Sequence, residues 1–166
     1  MKSLAIIYGS TGDNTKNVAK KIAEKITGAD LLDVASITKA DVEKYDNLII
    51  GSSTWGLGDL QDDWDGFLPE LKKADLTGKT ISLFGLGDSS SYSDTYVDAM
   101  GIIFETIKDK GCNIIGSVST AGYSFDSSRA DNGGQFVGLA LDEDNEFNKT
   151  DDRISEWVKD ILPRFQ

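Results

Sequence analysis

Short runs of consecutive apolar residues alternate along this chain with stretches in which apolar residues recur every third or fourth position. The first kind begins with "LAIIY" (4–8), a run without polar interruption. That pattern fits a strand covered on both faces. Further strands are expected at "ADLLDVA" (29–35), "YDNLIIGSS" (45–53), "KTISLFGLG" (79–87) and "NIIGSV" (113–118), with another piece of sheet at "FVGLAL" (136–141). Between them the period lengthens to that of a helix. Val18, Ala19, Ile22, Ala23 and Ile26 share one face over 15–27. Trp64, Phe67, Leu68 and Leu71 do so after the third strand, where Asp62 and Asp63 suit a first turn. Val97, Met100, Phe104 and Ile107 mark a helix over 94–110, with Gly111 at its stop. Ile154, Trp157, Val158, Ile161 and Leu162 mark a last one, ending near Pro163.

Repeated β–α units imply one α/β domain over 1–166, with a five-stranded parallel sheet between two layers of helices. The length suits a single domain with a sizeable core. In open sheets of this kind, ligands bind beyond the carboxyl ends of the strands. The loops at 9–15, 54–63 and 86–94 lie there, and they hold most of the unusual residues.

The first of these loops, "GSTGDNT", opens into a helix. Backbone N–H groups and the helix dipole can bind a phosphate without a cationic side chain. Ser10, Thr11, Asn14 and Thr15 add hydroxyl or amide donors, beside Gly12 and Asp13. The Gly-Lys-Ser/Thr ending of a Walker loop is missing, and so is a G-x-G-x-x-G. A plain helix cap is the competing reading, because the same residue types cap helices. The second loop, "SSTWGLGD", puts Trp55 at a strand end before Gly56, Leu57 and Gly58. The third, "GLGDSSSYSD", sets Tyr92 among Gly87, Asp88 and Asp94. Two aromatics and a phosphate cradle at one edge point to a planar ring with a phosphate tail, a more specific pattern than any one loop.

Charge and composition remove other classes. The chain carries a net charge of −11, so nucleic acid and anionic membranes are unsuitable partners, and a basic protein suits it better. With no histidine, Ser-His-Asp and Cys-His catalysis is excluded. One cysteine, Cys112, and no secretory pattern fit a reducing cytoplasm.

Over nearly its whole length the chain resembles a flavodoxin of the long-chain type. The residues that carry the resemblance are "YGSTGDNT", "LIIGSSTWGLGDLQDDW", "LFGLGDSSSYSDTYVDAMG", "STAGYSFDSS", "GQFVGLALDEDN" and "DDRISEWV". The resemblance implies the flavodoxin-like strand order 2-1-3-4-5, with FMN at the switch point between the first and third strands, its established place in that family. It implies an FMN phosphate in the 10–15 loop, and a flavin ring between Trp55 and Tyr92, touched by Ser53, Thr54, Gly56, Leu57 and Gly58. The polar backbone near Asp88 then meets its pyrimidine edge, Gly87 and Asp94 count among the cofactor-binding residues, and Asp144 contacts the ribityl chain. The segment 119–137 matches the insertion that splits the fifth strand in the long-chain class.

The implied task is low-potential one-electron transfer between semiquinone and hydroquinone, not turnover of a substrate. The Gly56 carbonyl stands where the family's N5-facing carbonyl does. The implied partners are a flavodoxin/ferredoxin reductase or an electron-accepting enzyme with a basic patch, met by a monomer. A quinone reductase on the same fold is the alternative, and the missing histidine opposes it. The phosphate loop departs from the family pattern: glycine comes one place early, at Gly12, and Asp13 follows. Asp13 is expected in a left-handed turn with its carboxylate turned to solvent.

Overall fold

A computed structural model describes all 166 residues. The strands are β1 (Leu4–Gly9), β2 (Asp30–Asp33), β3 (Asn47–Trp55), β4 (Asp59–Leu60), β5 (Thr80–Leu86), β6 (Asn113–Ile115), β7 (Val118–Ser119), β8 (Gln135–Phe136) and β9 (Leu139–Leu141). The helices are α1 (Asn14–Glu24), α2 (Lys39–Glu43), α3 (Asp62–Lys73), α4 (Asp98–Ile107) and α5 (Thr150–Ile161). The main sheet runs β2-β1-β3-β5-β6, with every neighbour parallel. This is the expected order 2-1-3-4-5 once the two-residue β4, which pairs back onto β3, is set aside. The fifth position is shared: β6 pairs with Thr80–Ser82 of β5, and β9 with Phe84–Leu86.

Alternation of side chains along each strand explains the uninterrupted apolar runs. Ala5 and Ile7 of β1 face one core, with Trp64, Leu71, Met100 and Ile103 from α3 and α4. Leu4, Ile6 and Tyr8 face the other, with Val18, Ile22, Ile154 and Trp157 from α1 and α5. A sheet with both faces covered in this way exposes only its ends, and its ligand loops gather at one of them.

Several boundaries differ from the sequence expectation, each for a local reason. β2 stops at Asp33 because that carboxylate accepts the Ala35 N–H at 2.9 Å and starts a tight turn. β3 runs on to Trp55 because β4 folds back against it, pairing Thr54 with Leu60 and Trp55 with Asp59. α4 begins at Asp98, not 94, because Val97 sits in the left-handed region (φ 49°) ahead of it. α1 ends at Glu24, and Gly28 (φ 84°) turns the chain toward β2. The unexpected α2 rests on a capping box in which Thr38 and Asp41 each satisfy the other's backbone N–H. The insertion leaves the sheet after β6, forms the β7–β8 hairpin and returns at β9. Its Tyr123, Phe125 and Phe136 pack around Tyr96, with ring centroids 5.0–6.4 Å apart. No helix is long and apolar enough to cross a membrane.

Candidate cofactor-binding site

The carboxyl ends of β1, β3, β5 and β9 converge on a cleft of about 300 Å³. The cleft brings together Ser10, Thr11, Gly12, Asn14 and Thr15 from the first loop with Ser53, Thr54, Trp55 and Gly56 from the second. Gly87, Asp88 and Tyr92 come from the third, and Asp144 from the segment after β9. Leu86 and Glu143 complete the lining, and the sequence did not single them out. Asp13, Leu57, Gly58 and Asp94 were expected in the site and lie outside this lining.

In the first loop the N–H groups of Thr11, Gly12, Asp13, Asn14 and Thr15 make no hydrogen bond within the protein. They form the start of α1, whose first turn carries no acid. Unpaired donors and the positive helix end together favour an anion here. The Ser10 hydroxyl accepts the Lys16 N–H at 3.3 Å and keeps its own proton to donate. Asp13 lies outside the cleft because it is the left-handed residue (φ 67°) at the N-cap: it turns the chain into α1, and its carboxylate is exposed and makes no cap bond.

The second loop is a tight reversal between β3 and β4. Trp55 remains 47% exposed on the cleft. Its indole Nε1 donates to the Ser53 hydroxyl at 2.7 Å, which fixes the ring against the strand end. Gly56 (φ 53°) takes the left-handed position that this reversal needs, one that glycine reaches cheaply. Leu57 is at the tip of the reversal, stands 86% exposed and is not part of the cleft lining. Gly58 (φ 98°) is buried on the far side, against Asp98 and Thr95.

The third loop closes on itself around Asp88. One carboxylate oxygen accepts the N–H groups of Ser90 at 3.1 Å and Ser91 at 2.9 Å, together with the Asn145 amide at 2.8 Å. The Ser91 N–H holds the Asp88 carboxyl below its ordinary range. Tyr92 is left 48% exposed on the cleft. Asp94 falls in the turn beyond it, exposed, with its carbonyl accepting the Ser127 hydroxyl of the insertion at 2.5 Å.

A buried carboxylate joins the third loop to the fourth. Asp142 is 0% exposed and has no cationic partner. It accepts the Ser89 N–H at 3.1 Å and the Ser89 hydroxyl at 2.5 Å from one side. From the other it accepts the N–H groups of Asp144 at 3.1 Å and Asn145 at 2.9 Å, and the Asn145 side-chain amide. Asp144, beside it on the cleft, has its carboxyl pushed up by burial, with Asp88, Asp142 and Glu143 adding to the shift.

This arrangement fits a flat ring with an anionic tail. Two large aromatics stay half exposed on the same cleft that is lined by Thr11, Gly12, Asn14 and Thr15, four of the five residues with unpaired amides at the helix start. No group of histidine, cysteine and acidic residues is placed to hold a metal ion.

Comparison with known proteins gives the same answer from a different direction. The flavodoxin family model matches residues 6–157. A Synechocystis flavodoxin is 43% identical, covering 100% of this chain and 99% of its own length. A Trichodesmium erythraeum flavodoxin is 44% identical, with 99% of each chain covered. The crystal structure of Fusobacterium nucleatum flavodoxin bound to flavin mononucleotide superposes with a TM-score of 0.92 at 30% identity, covering 100% of both chains. On sequence and on structure, then, the chain belongs to the flavodoxin family.

Proposed function

We propose that this chain is a one-electron carrier that holds FMN non-covalently in the cleft, acting as a single domain over residues 1–166. The observation that carries the reading is the meeting, in one cleft, of the unpaired N–H groups of Thr11, Gly12, Asn14 and Thr15 with the exposed rings of Trp55 and Tyr92. The flavin, when bound, supplies the redox chemistry. Thr11, Gly12, Asp13, Asn14 and Thr15 offer backbone donors to its phosphate, and the hydroxyls of Ser10, Thr11 and Thr15 add others. Trp55 and Tyr92 cover the ring and keep water from it. Asp88 and Asp144, with the acids Asp59, Asp62, Asp63 and Asp65 of the second loop and α3, place negative charge around the site. That charge opposes a further electron and lowers the potential at which it is accepted.

Its partners are redox proteins, as for the family. The same acids suit a partner with a basic patch, such as a flavodoxin/ferredoxin reductase, because complementary charge speeds and aligns encounter.

Titrating the protein freed of flavin with FMN tests this reading. One equivalent is expected to bind with quenching of flavin fluorescence, and stepwise reduction of the complex is expected to proceed in two resolved one-electron stages. A protein that takes up no FMN, or that takes both electrons at one potential, overturns it.

Asp13 gives a quantitative check. A carboxylate facing the phosphate at about 5 Å would cost about 3 kcal/mol at an effective dielectric near 20. Because Asp13 lies outside the cleft lining, Asp13→Asn should change FMN affinity by no more than about threefold, roughly 0.6 kcal/mol. Isothermal titration of the two proteins distinguishes this from the hundredfold gain that an inward carboxylate requires.

A further inference from the structure

The residue that links the phosphate loop to the aromatic loop is Gln61, which does not line the cleft. It is 1% exposed, and all four hydrogen-bonding positions of its amide are used. Its oxygen accepts the N–H groups of Asp63 at 3.2 Å and Trp64 at 3.3 Å, capping α3. Two backbone donors require the oxygen on that side, so the orientation of the amide is settled by its surroundings. Its nitrogen must then face the other way. There it donates to the Asp63 carboxylate at 2.8 Å and to the Thr11 hydroxyl at 3.2 Å. Gly9, where β1 ends, makes room for this amide, since a Cβ there would collide with the Gln61 oxygen and the Trp64 ring.

A hydroxyl has one proton and can accept on its other side. The contact from Gln61 is the only hydrogen bond that the Thr11 side chain makes, and in it Thr11 is the acceptor. The Thr11 proton is therefore unspent, and Thr11 lines the cleft beside the unpaired amides. We propose that Gln61 is a positioning residue that sets the Thr11 hydroxyl as a donor to the ligand's phosphate, and so helps this site discriminate a phosphorylated flavin from the unphosphorylated one. This role rests on the FMN reading of the cleft. A methionine at this position would fill the same space without charge and offer Thr11 no donor, at the cost of the cap on α3. The Thr11 hydroxyl would then be free to turn its proton away from the phosphate.

The test compares FMN with riboflavin, which carries the same ring and no phosphate, by fluorescence titration of the flavin-free protein. Gln61→Met is expected to weaken FMN binding about threefold or more, because the Thr11 hydroxyl no longer has one orientation imposed on it. Riboflavin binding should change less than about twofold, and it reports that the variant is folded. Thr11→Val, a change at an exposed position, should lower the FMN-to-riboflavin preference similarly. Adding Gln61→Met to Thr11→Val should cost no more than about a further twofold. Equal losses for both ligands, additive losses in the double variant, or an unchanged preference in Thr11→Val would each overturn the role. Wild-type protein that binds neither ligand would overturn the reading of the cleft, and this role with it.

Discussion

Asp142→Ala is expected to destabilise the flavin-free protein by about 3 kcal/mol or more. The carboxylate is fully buried and holds three backbone N–H groups, those of Ser89, Asp144 and Asn145. Each buried donor left without an acceptor costs about 1–3 kcal/mol. Even if water recovers some of these bonds, the Asn145 side chain loses its acceptor as well, and with it the alignment of its bond to Asp88. The change should reach the site, because Asp88 and Asp144 both line the cleft and Asp142 lies behind them. Chemical denaturation should show a lower midpoint at unchanged slope, and FMN should bind more weakly to the folded fraction. Asp142→Asn offers an informative contrast. It keeps one oxygen of the acceptor pair but turns an NH₂ toward groups that are themselves donors, so it should recover only part of the loss. An unfolding free energy within about 0.5 kcal/mol of wild type for Asp142→Ala would mean that the two loops hold together without the carboxylate.

Removing both exposed rings should have the largest effect on ligand affinity. Stacking of a flat heteroaromatic ring on a protein aromatic is worth about 1–3 kcal/mol per side chain by alanine substitution. Trp55→Ala with Tyr92→Ala should therefore weaken FMN binding by about 2–6 kcal/mol, from roughly thirtyfold to more than ten-thousandfold. The phosphate loop is untouched in that variant, so discrimination between FMN and riboflavin should survive. Stability should be nearly unchanged, because both rings are about half exposed and neither belongs to a core cluster. Water admitted to the ring should also stabilise the charged, fully reduced flavin, so the more negative of the two reduction potentials should rise. Potentiometric titration reads that directly. An unmoved potential alongside lost affinity would show that the rings contribute binding only.

Much of the fold could be read before the structure, and the reason lies in the parallel sheet. Strands buried on both faces leave uninterrupted apolar runs such as "LAIIY", and these are hard to mistake. What escaped the sequence was short or stabilised at a distance. α2 has five residues and one buried side chain, Val42, too little for a period to emerge. β4 has two residues and exists only through its pairing with β3. The start of α4 depends on Val97 in a left-handed conformation, which its own side chain disfavours and the surrounding fold imposes.

The site was legible as a set of loops and less so as a set of residues. Position at a strand's carboxyl end can be inferred from sequence, but the direction a side chain takes within a reversal cannot. Leu57 and Gly58 share a loop with Trp55 yet lie outside the cleft lining, and Asp94, two residues beyond Tyr92, is outside it too, with its carbonyl bonded to Ser127 of the insertion. The sequence does not single out Gln61, and nothing in it reports a bond to Thr11, 50 positions earlier.

The divided fifth strand bears on how such a protein can change over time. β6 ends with Ile115 opposite Ser82, and β9 begins with Leu139 opposite Phe84, so a single residue of β5, Leu83, separates the two pairings. The chain departs and returns at almost the same point of the sheet, and residues 116–138 form a closed excursion from its edge. Closing a loop costs entropy that grows only slowly with its length. The excursion can therefore lengthen, shorten or acquire new surface while the ladder beside it, and the cleft that the ladder supports, keep their register. The border of this molecule is open to evolutionary remodelling in a way that its centre is not.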